Sequence, residues 1–361
     1  MCLERGALPS SSSGRETLYN KTGALERGPI FGRCRHFLPS LDYLLVFYPR
    51  LSLLGYSLVS PRLSSSLLVS IFTPRPNMHL SGLLHLSGLA AAACNGNDKL
   101  CGRRYSDVAM IGTHNSAFVG DSPFHNQFVT VTEQLDSGVR FLQAQTHDKL
   151  GRIELCHTSC WYLDVGPLTL YLHEVADWLD GHPDDVVTLL LTNINAIPMD
   201  KFRGAFDETG LNKLVFRPRG VLAKHQWPTL QELIKAGTRL VVFMDYHSDQ
   251  AKVDYIINEF DYFWETPYGI TDKAFPTCSV DRPSNGDTKK LMGIMNHMLN
   301  HKIGDIVFPN MLDAASTNSL ASIQKQVDLC KSHGKPQPNV VLLDWVNIGE
   351  AQKALQVLNG L

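Results

Sequence analysis

The chain has 361 residues, with 33 Lys and Arg against 35 Asp and Glu and a formal net charge of −2. That balance, with no long basic run, excludes nucleic acid as an expected partner. The length admits one large domain or two ordinary ones, so shifts in composition along the chain set the boundaries.

Residues 1–77 are rich in Ser, Leu, Arg and Pro and hold no sustained helical or strand period. This predicts a disordered leader or an over-extended gene start. Its apolar runs near Leu44 and Leu67 are interrupted by Pro49 and Pro61 and fall short of the ~20 residues a membrane-spanning helix requires. From Met78 the chain turns apolar through Leu80, Leu83, Leu84 and Leu86 and runs into Ala90 to Ala93. An apolar stretch followed by small residues predicts a secretory signal over 78–93, cleaved near Cys94, and a secreted protein with Met78 as its true start. Six cysteines follow: Cys94, Cys101, Cys156, Cys160, Cys278 and Cys330. Their spacing suggests bridges Cys94–Cys101 and Cys156–Cys160, leaving Cys278 with Cys330, although spacing alone leaves the connectivity open. Cys156-His157-x-x-Cys160 matches no common zinc pattern, so no metal is expected there.

Beyond residue 94, strands are predicted over 108–112, 140–145, 153–156, 186–191, 240–245, 262–265, 305–308 and 340–345. Helices are predicted over 168–179, 230–236, 253–260, 289–299, 320–330 and 350–358, where apolar residues recur at three- and four-residue steps. The alternation predicts a parallel α/β fold. Eight strands over 94–361 fit a (β/α)8 TIM-type barrel, whose usual length is ~250 residues, irregular where 153–156 and 262–265 are weak. The alternative, a doubly wound open sheet, lacks the Gly-rich phosphate loop it would need. The expected unit is one barrel domain over 94–361, acting as a monomer.

Two histidines close predicted strands and open polar turns: His114 in Met-Ile-Gly-Thr-His-Asn-Ser and His157 in Glu-Leu-Cys-His-Thr-Ser. In a parallel barrel, strand ends hold catalytic side chains rigidly while the loops admit substrate. Two imidazoles facing one pocket can act as general base and general acid, because histidine titrates near neutral pH. Asp245 and Asp344 also end apolar runs and are expected on the same face. Asp344 is the expected partner of His114, since first and last strands are neighbours in a closed barrel.

Several spaced motifs agree in order: Ile111-Gly112-Thr113-His114-Asn115-Ser116, Gly138-Val139-Arg140-Phe141-Leu142-Gln143-Ala144-Gln145, Leu155-Cys156-His157 and His182-Pro183-Asp184-Asp185. Together they resemble the X-domain region of phosphatidylinositol-specific phospholipases C, and within it the secreted fungal-type PLC-like phosphodiesterases. Cys278-Ser279-Val280-Asp281-Arg282-Pro283 also resembles the fungal group. The resemblance implies that His114 takes the proton of an inositol 2-hydroxyl and that His157 protonates the leaving glycerol oxygen. Asn115, Gln143, Gln145, His147, Asn193 and Trp345 are expected around the substrate.

The departures from the family are specific. Eukaryotic relatives hold calcium with Asn after the first histidine and with acidic residues on later strands. Here Asn115 remains, but Gln143 and Gln145 occupy acidic places and Thr192 replaces the last, so calcium is expected to bind weakly at best and no cofactor is expected. The same glutamines argue against a metal-dependent glycerophosphodiester or sphingomyelin phosphodiesterase. Bacterial relatives have Arg where this chain has Gln145. Phosphoryl transfer requires positive charge or strong donors at the phosphate, and the local candidates are Arg140, His147, Lys149 and Arg152. Strand alternation turns Arg140 away from Gln143 and Gln145. The expected function is calcium-independent phosphodiester hydrolysis of an inositol phospholipid or glycolipid anchor, with transient membrane contact near Trp161 and Tyr162. A second reading is a secreted lipid- or inositol-phosphate-binding barrel that has lost turnover.

Overall fold

The computed structural model describes residues 93–361 except residue 305; the expected leader and all but the last residue of the expected signal lie outside them. In chain order the elements are α1 (Asp98–Cys101), β1 (Met110–Thr113), α2 (Val131–Asp136), β2 (Phe141–Lys149), β3 (Arg152–Cys156), β4 (Asp164–Pro167) and α3 (Leu168–Gly181). They continue with β5 (Val187–Thr192), α4 (Met199–Glu208), α5 (Leu230–Lys235), β6 (Leu240–Met244), β7 (Ile256–Asn258), β8 (Phe263–Glu265) and β9 (Met292–Asn296). The chain closes with β10 (Asn300–Ile303), β11 (Ile306–Pro309), α6 (Ala314–Thr317), α7 (Leu320–Ser332), β12 (Val340–Leu343) and α8 (Ala351–Asn359).

Eight of these strands form one parallel sheet in the order β7-β6-β5-β2-β1-β12-β9-β8. Its end strands, β7 and β8, are separated in sequence only by the short turn Glu259–Asp261 and Tyr262, so the sheet must curl to bring its ends together. Among the described residues no backbone pairing joins β7 to β8, which leaves a seam in the barrel. The strands are apolar without interruption, as in Leu240-Val-Val-Phe-Met and Val340-Val-Leu-Leu, because both faces of a parallel sheet are covered. Met110, Phe141, Leu190, Phe243, Ile294 and Leu342 fill the interior, while Ile111, Leu142, Leu189 and Val341 pack outward against the helices. Gly112 is required on the interior wall: a Cβ there would meet Leu342 Cδ1 at 2.9 Å and Phe141 Cδ1 at 3.1 Å.

Along α3, Leu168, Tyr171, Leu172, Val175, Trp178 and Leu179 are buried, the spacing of a helix face laid on a sheet. Each such side chain contributes about 1.5–3 kcal/mol relative to exposure. At the other end of the chain, Asn359 clasps the start of β1, accepting from Ala109 N at 3.0 Å and donating to Ala109 O at 2.9 Å.

The strand count matches the expectation, but its membership differs. The helices predicted over 253–260 and 289–299 are the strands β7 and β9 with their flanks. Their short apolar runs fit a helical step, yet they are buried on all sides, where periodicity does not separate strand from helix. The strand predicted over 153–156 is β3, which pairs antiparallel with the outer part of β2 and carries β4 with it. The strand predicted over 305–308 falls in β11, the second arm of an antiparallel hairpin with β10; residue 305 itself lies outside the described residues. Among the described residues the bridges are Cys94–Cys101, Cys156–Cys160 and Cys278–Cys330.

Candidate active site

The register Thr113 to Leu343 between β1 and β12 makes the next residues, His114 and Asp344, leave the sheet side by side. His114 Nδ1 lies 2.8 Å from Asp344 Oδ1, and Asn126 Nδ2 donates to the same oxygen at 3.0 Å. A carboxylate at Nδ1 keeps the proton on that nitrogen and leaves Nε2 as the free lone pair. Asp344 Oδ2 is buried without a partner, which concentrates the carboxylate's action on the imidazole side. Asn115 is fully buried and donates through Nδ2 to Asn126 Oδ1 at 3.0 Å. It braces the pair from behind and does not line the pocket in front.

His157 follows β3, the strand that rises antiparallel from the far end of β2. The Cys156–Cys160 bridge closes its loop, and the Phe118 ring stacks on the imidazole at 5.4 Å. Its Nδ1 donates to Phe124 O at 2.6 Å. A carbonyl only accepts, so this bond fixes the proton on Nδ1 and leaves Nε2 unprotonated in the neutral ring. Burial, reinforced by the nearby His114, pushes the His157 pKa down to about 4. His157 therefore offers a bare Nε2 at neutral pH, and the neutral His114 ring likewise carries its lone pair on Nε2.

A pocket of ≈ 400 Å³ opens at the C-terminal ends of the strands, with His114, Gln143, Gln145 and His147 on one wall and Asp245 and Arg282 on the other. The residue after His157, Thr158, lines the pocket, and His157 itself is not part of the lining. Burial lowers the pKa of His147, so it is neutral and not the missing cation. Asp245 meets no imidazole: it accepts from Asn193 N at 2.8 Å and Tyr246 N at 2.7 Å, and burial pushes its pKa up to about 6. Besides Asn115, two more expected substrate contacts lie elsewhere. The Asn193 side chain closes its own turn on Ile197, accepting from N at 2.8 Å and donating to O at 3.1 Å, and Thr192 takes its place on the wall. Trp345 is buried against Phe128, with ring centroids 6.1 Å apart, because a left-handed φ of 44° turns it out of the site.

The other cation candidates are committed to partners. Arg140 pairs with Asp185 at 2.8 Å and sits over the Trp178 ring at 4.7 Å, at the opposite end of β2. Lys149 pairs with Asp164, and Arg152 with Glu154 at 3.4 Å. The permanent cation on the pocket wall is Arg282, which the sequence reading did not select. Its Nη2 contacts Glu265 Oε2 at 2.5 Å, the Tyr268 ring lies 5.0 Å away, and its Nε is buried without a partner. Glu259, fully buried beside Glu265, has its pKa raised by burial and by that neighbour, which favours its neutral form. The signal that could have found Arg282 is the segment Cys278 to Pro283, anchored by the long bridge to Cys330.

Gln143 and Gln145 offer their oxygens to backbone amides, Gln143 to Asn115 N at 2.7 Å and Gln145 to Thr158 N at 2.9 Å, which leaves those oxygens poorly placed for an ion. Among the described residues, one group of three His, Cys, Asp or Glu ligand atoms lies close enough to share a metal: Cys156, Cys160 and Asp164. Its two sulfurs are bonded to each other, so it does not fit one.

The PI-PLC X family model, described as PI-PLC X 1, matches residues 100–359. The chain belongs to the PI-PLC X family. A fungal relative, PI-PLC X domain-containing protein 1 of Arthroderma benhamiae, is 45% identical over 273 residues, covering 74% of this chain and 90% of its own. A second protein of that fungus, named an uncharacterized secreted protein, is 39% identical and is covered over 60% of its length. The plant PI-PLC X domain-containing protein At5g67130 of Arabidopsis thaliana is 25% identical over 278 residues and covered over 62%. Among solved structures, a mutant phosphatidylinositol-specific phospholipase C of Staphylococcus aureus aligns with TM-score 0.49 and 14% identity, over 72% of this chain and 94% of that one.

Proposed function

We propose that this PI-PLC X protein is a secreted phosphodiesterase of the phospholipase C type, acting on an inositol phospholipid or a glycolipid anchor without calcium. The observation that carries this reading is the His114–Asp344 pair at 2.8 Å, facing a pocket beside a second imidazole whose Nδ1 is also fixed. His114 Nε2 takes the proton of the attacking 2-hydroxyl, whose oxygen bonds to phosphorus while the bond to the glycerol oxygen breaks. Asp344 stabilises the imidazolium that forms. His157, neutral in the free protein, takes up a proton when the phosphodiester anion binds, since a nearby negative charge raises an imidazole pKa. It then delivers that proton to the leaving oxygen.

The wall formed by Arg282, Glu265, Glu259 and Asp245 supports a polyol ring as the substrate. Arg282 is neutralised by Glu265, so the cluster offers paired donors and acceptors suited to hydroxyl groups more than it offers net positive charge. The three bridges and the relative named as secreted support an extracellular setting. Trp161 and Tyr162, both strongly exposed next to the His157 loop, suit contact with a lipid surface. A binding barrel without turnover is the second reading, favoured by the absence of an uncompensated cation among the pocket-lining residues.

Phosphorus NMR on the protein with phosphatidylinositol vesicles, with calcium and with a chelator, separates the two. A cyclic inositol phosphate signal is expected in both samples, with His114→Ala lowering the rate by about 10²–10⁴-fold. No signal in either sample from folded protein would overturn the enzymatic reading in favour of the binding barrel.

A further inference from the structure

Two glutamines on one face of β2 each hold the backbone beside one imidazole. Gln143 accepts the amide of Asn115, the residue after His114, at 2.7 Å, and Gln145 accepts that of Thr158, the residue after His157, at 2.9 Å. Asn115 and Thr158 are both left-handed, with φ of 49° and 61°. That conformation costs a non-glycine residue about 1–3 kcal/mol and persists where its surroundings fix it. In both turns the chain reverses immediately after the histidine, and in both a glutamine holds the reversal. We propose that Gln143 and Gln145 are paired positioning residues that set the separation of the two imidazoles from a single strand repeat.

Residues two apart on a strand share a face and lie about 6.6 Å apart. β5 pairs with β2 through both glutamines, Gln143 opposite Leu190 and Gln145 opposite Thr192, and on the other side Ser116 N donates to Gln143 O at 2.8 Å, so this ruler is held in place. A neutral amide also suits the task electrostatically. A carboxylate would accept the same bonds, but its charge beside His157 would raise the imidazole pKa. The proposal rests on the phosphodiesterase reading for its catalytic consequence and on the two hydrogen bonds for its geometry.

Full-length protein labelled with ¹⁵N-asparagine, ¹⁵N-threonine and ¹³Cε1-histidine reports amide exchange and histidine titration together. Gln145→Met is expected to speed exchange of the Thr158 amide by about five- to tenfold, the loss of one hydrogen bond. It should also move the His157 titration up from about 4 while leaving the Asn115 amide unchanged. Gln143→Met should do the reverse, exposing Asn115 and sparing Thr158. Gln145→Glu should restore Thr158 protection yet raise the His157 titration, a combination that lost packing does not produce. Should the buried Gln143→Met protein fail to fold, Gln143→Glu must still protect Asn115. The proposal is overturned by unchanged Thr158 exchange and His157 titration in Gln145→Met, by either methionine variant loosening both amides equally, or by an unprotected Asn115 in Gln143→Glu. An inactive parent would remove the phosphodiesterase reading, while exchange and titration would still decide the positioning role.

Discussion

At the residue scale, burial pushes two groups of the candidate site, His157 and Asp245, in opposite directions. His157 has its pKa lowered from 6.5 to about 4, so the unfolded chain binds the extra proton as pH falls through that window and stability is lost toward acid. Asp245 has its pKa raised from 3.8 to about 6, so the folded chain holds the extra proton and stability is lost as pH rises through 3.8 to 6. The two trends offset each other. Denaturant titrations are therefore expected to give a nearly flat contribution from this pair between about pH 4 and 6. Asp245→Asn should unmask the His157 slope, so that stability climbs with pH; a variant profile parallel to the parent would refute the offset. The pairing of His114 with Asp344 was legible in the sequence because both residues end apolar runs that a closed barrel makes neighbours. Asn193 and Trp345 fit the same strand-end logic but turn away, one into its own turn and one through a left-handed φ. Arg282 had no strand to announce it: its partner Glu265 is 17 residues earlier, and the segment between them is irregular.

At the element scale, the loop that carries His157 is held by the shortest of the three bridges. In the chain-entropy picture, closing the loop of Cys156–Cys160 contributes about 2 kcal/mol and closing that of Cys278–Cys330 about 4 kcal/mol. Replacing the long pair with serine is expected to lower the melting temperature roughly twice as far as replacing the short pair. The short pair should instead cost turnover, because it fixes the turn between Cys156 and Tyr162. Calorimetry and vesicle hydrolysis on both double variants check this, and equal losses of activity would contradict it. The same scale explains the misread segments. Met292 to Asn296 is buried on both faces, and so short a buried run does not distinguish a core strand from one side of a helix. β3 reads as a barrel strand because an antiparallel excursion has the same local pattern as a parallel one.

At the scale of the whole molecule, the barrel has one seam, between β7 and β8, and side chains span it where backbone pairing does not. Glu259 follows β7 and lies beside Glu265, which ends β8 and pairs with Arg282. Amides of these two strands are expected to exchange at least about tenfold faster than those of β2 and β5, the signature of a sub-global opening. Uniform protection across the sheet would show the side-chain bridge to be as strong as a ladder of hydrogen bonds. The order of strands around the rest of the barrel was legible only in outline, since strand count follows from local pattern while neighbours depend on contacts distant in sequence. The Asn359 clasp and the pairing of β1 with β12 have a further consequence for how the protein is made. His114 and Asp344 are 230 positions apart, and Ala109 and its clasp 250, so contacts of this span form slowly and late. A ribosome making this chain releases the first histidine long before its aspartate exists. If the protein is exported during synthesis, the His114–Asp344 pair is assembled only after residue 344 has crossed the membrane, and the cell that makes it never holds the finished site in its cytoplasm.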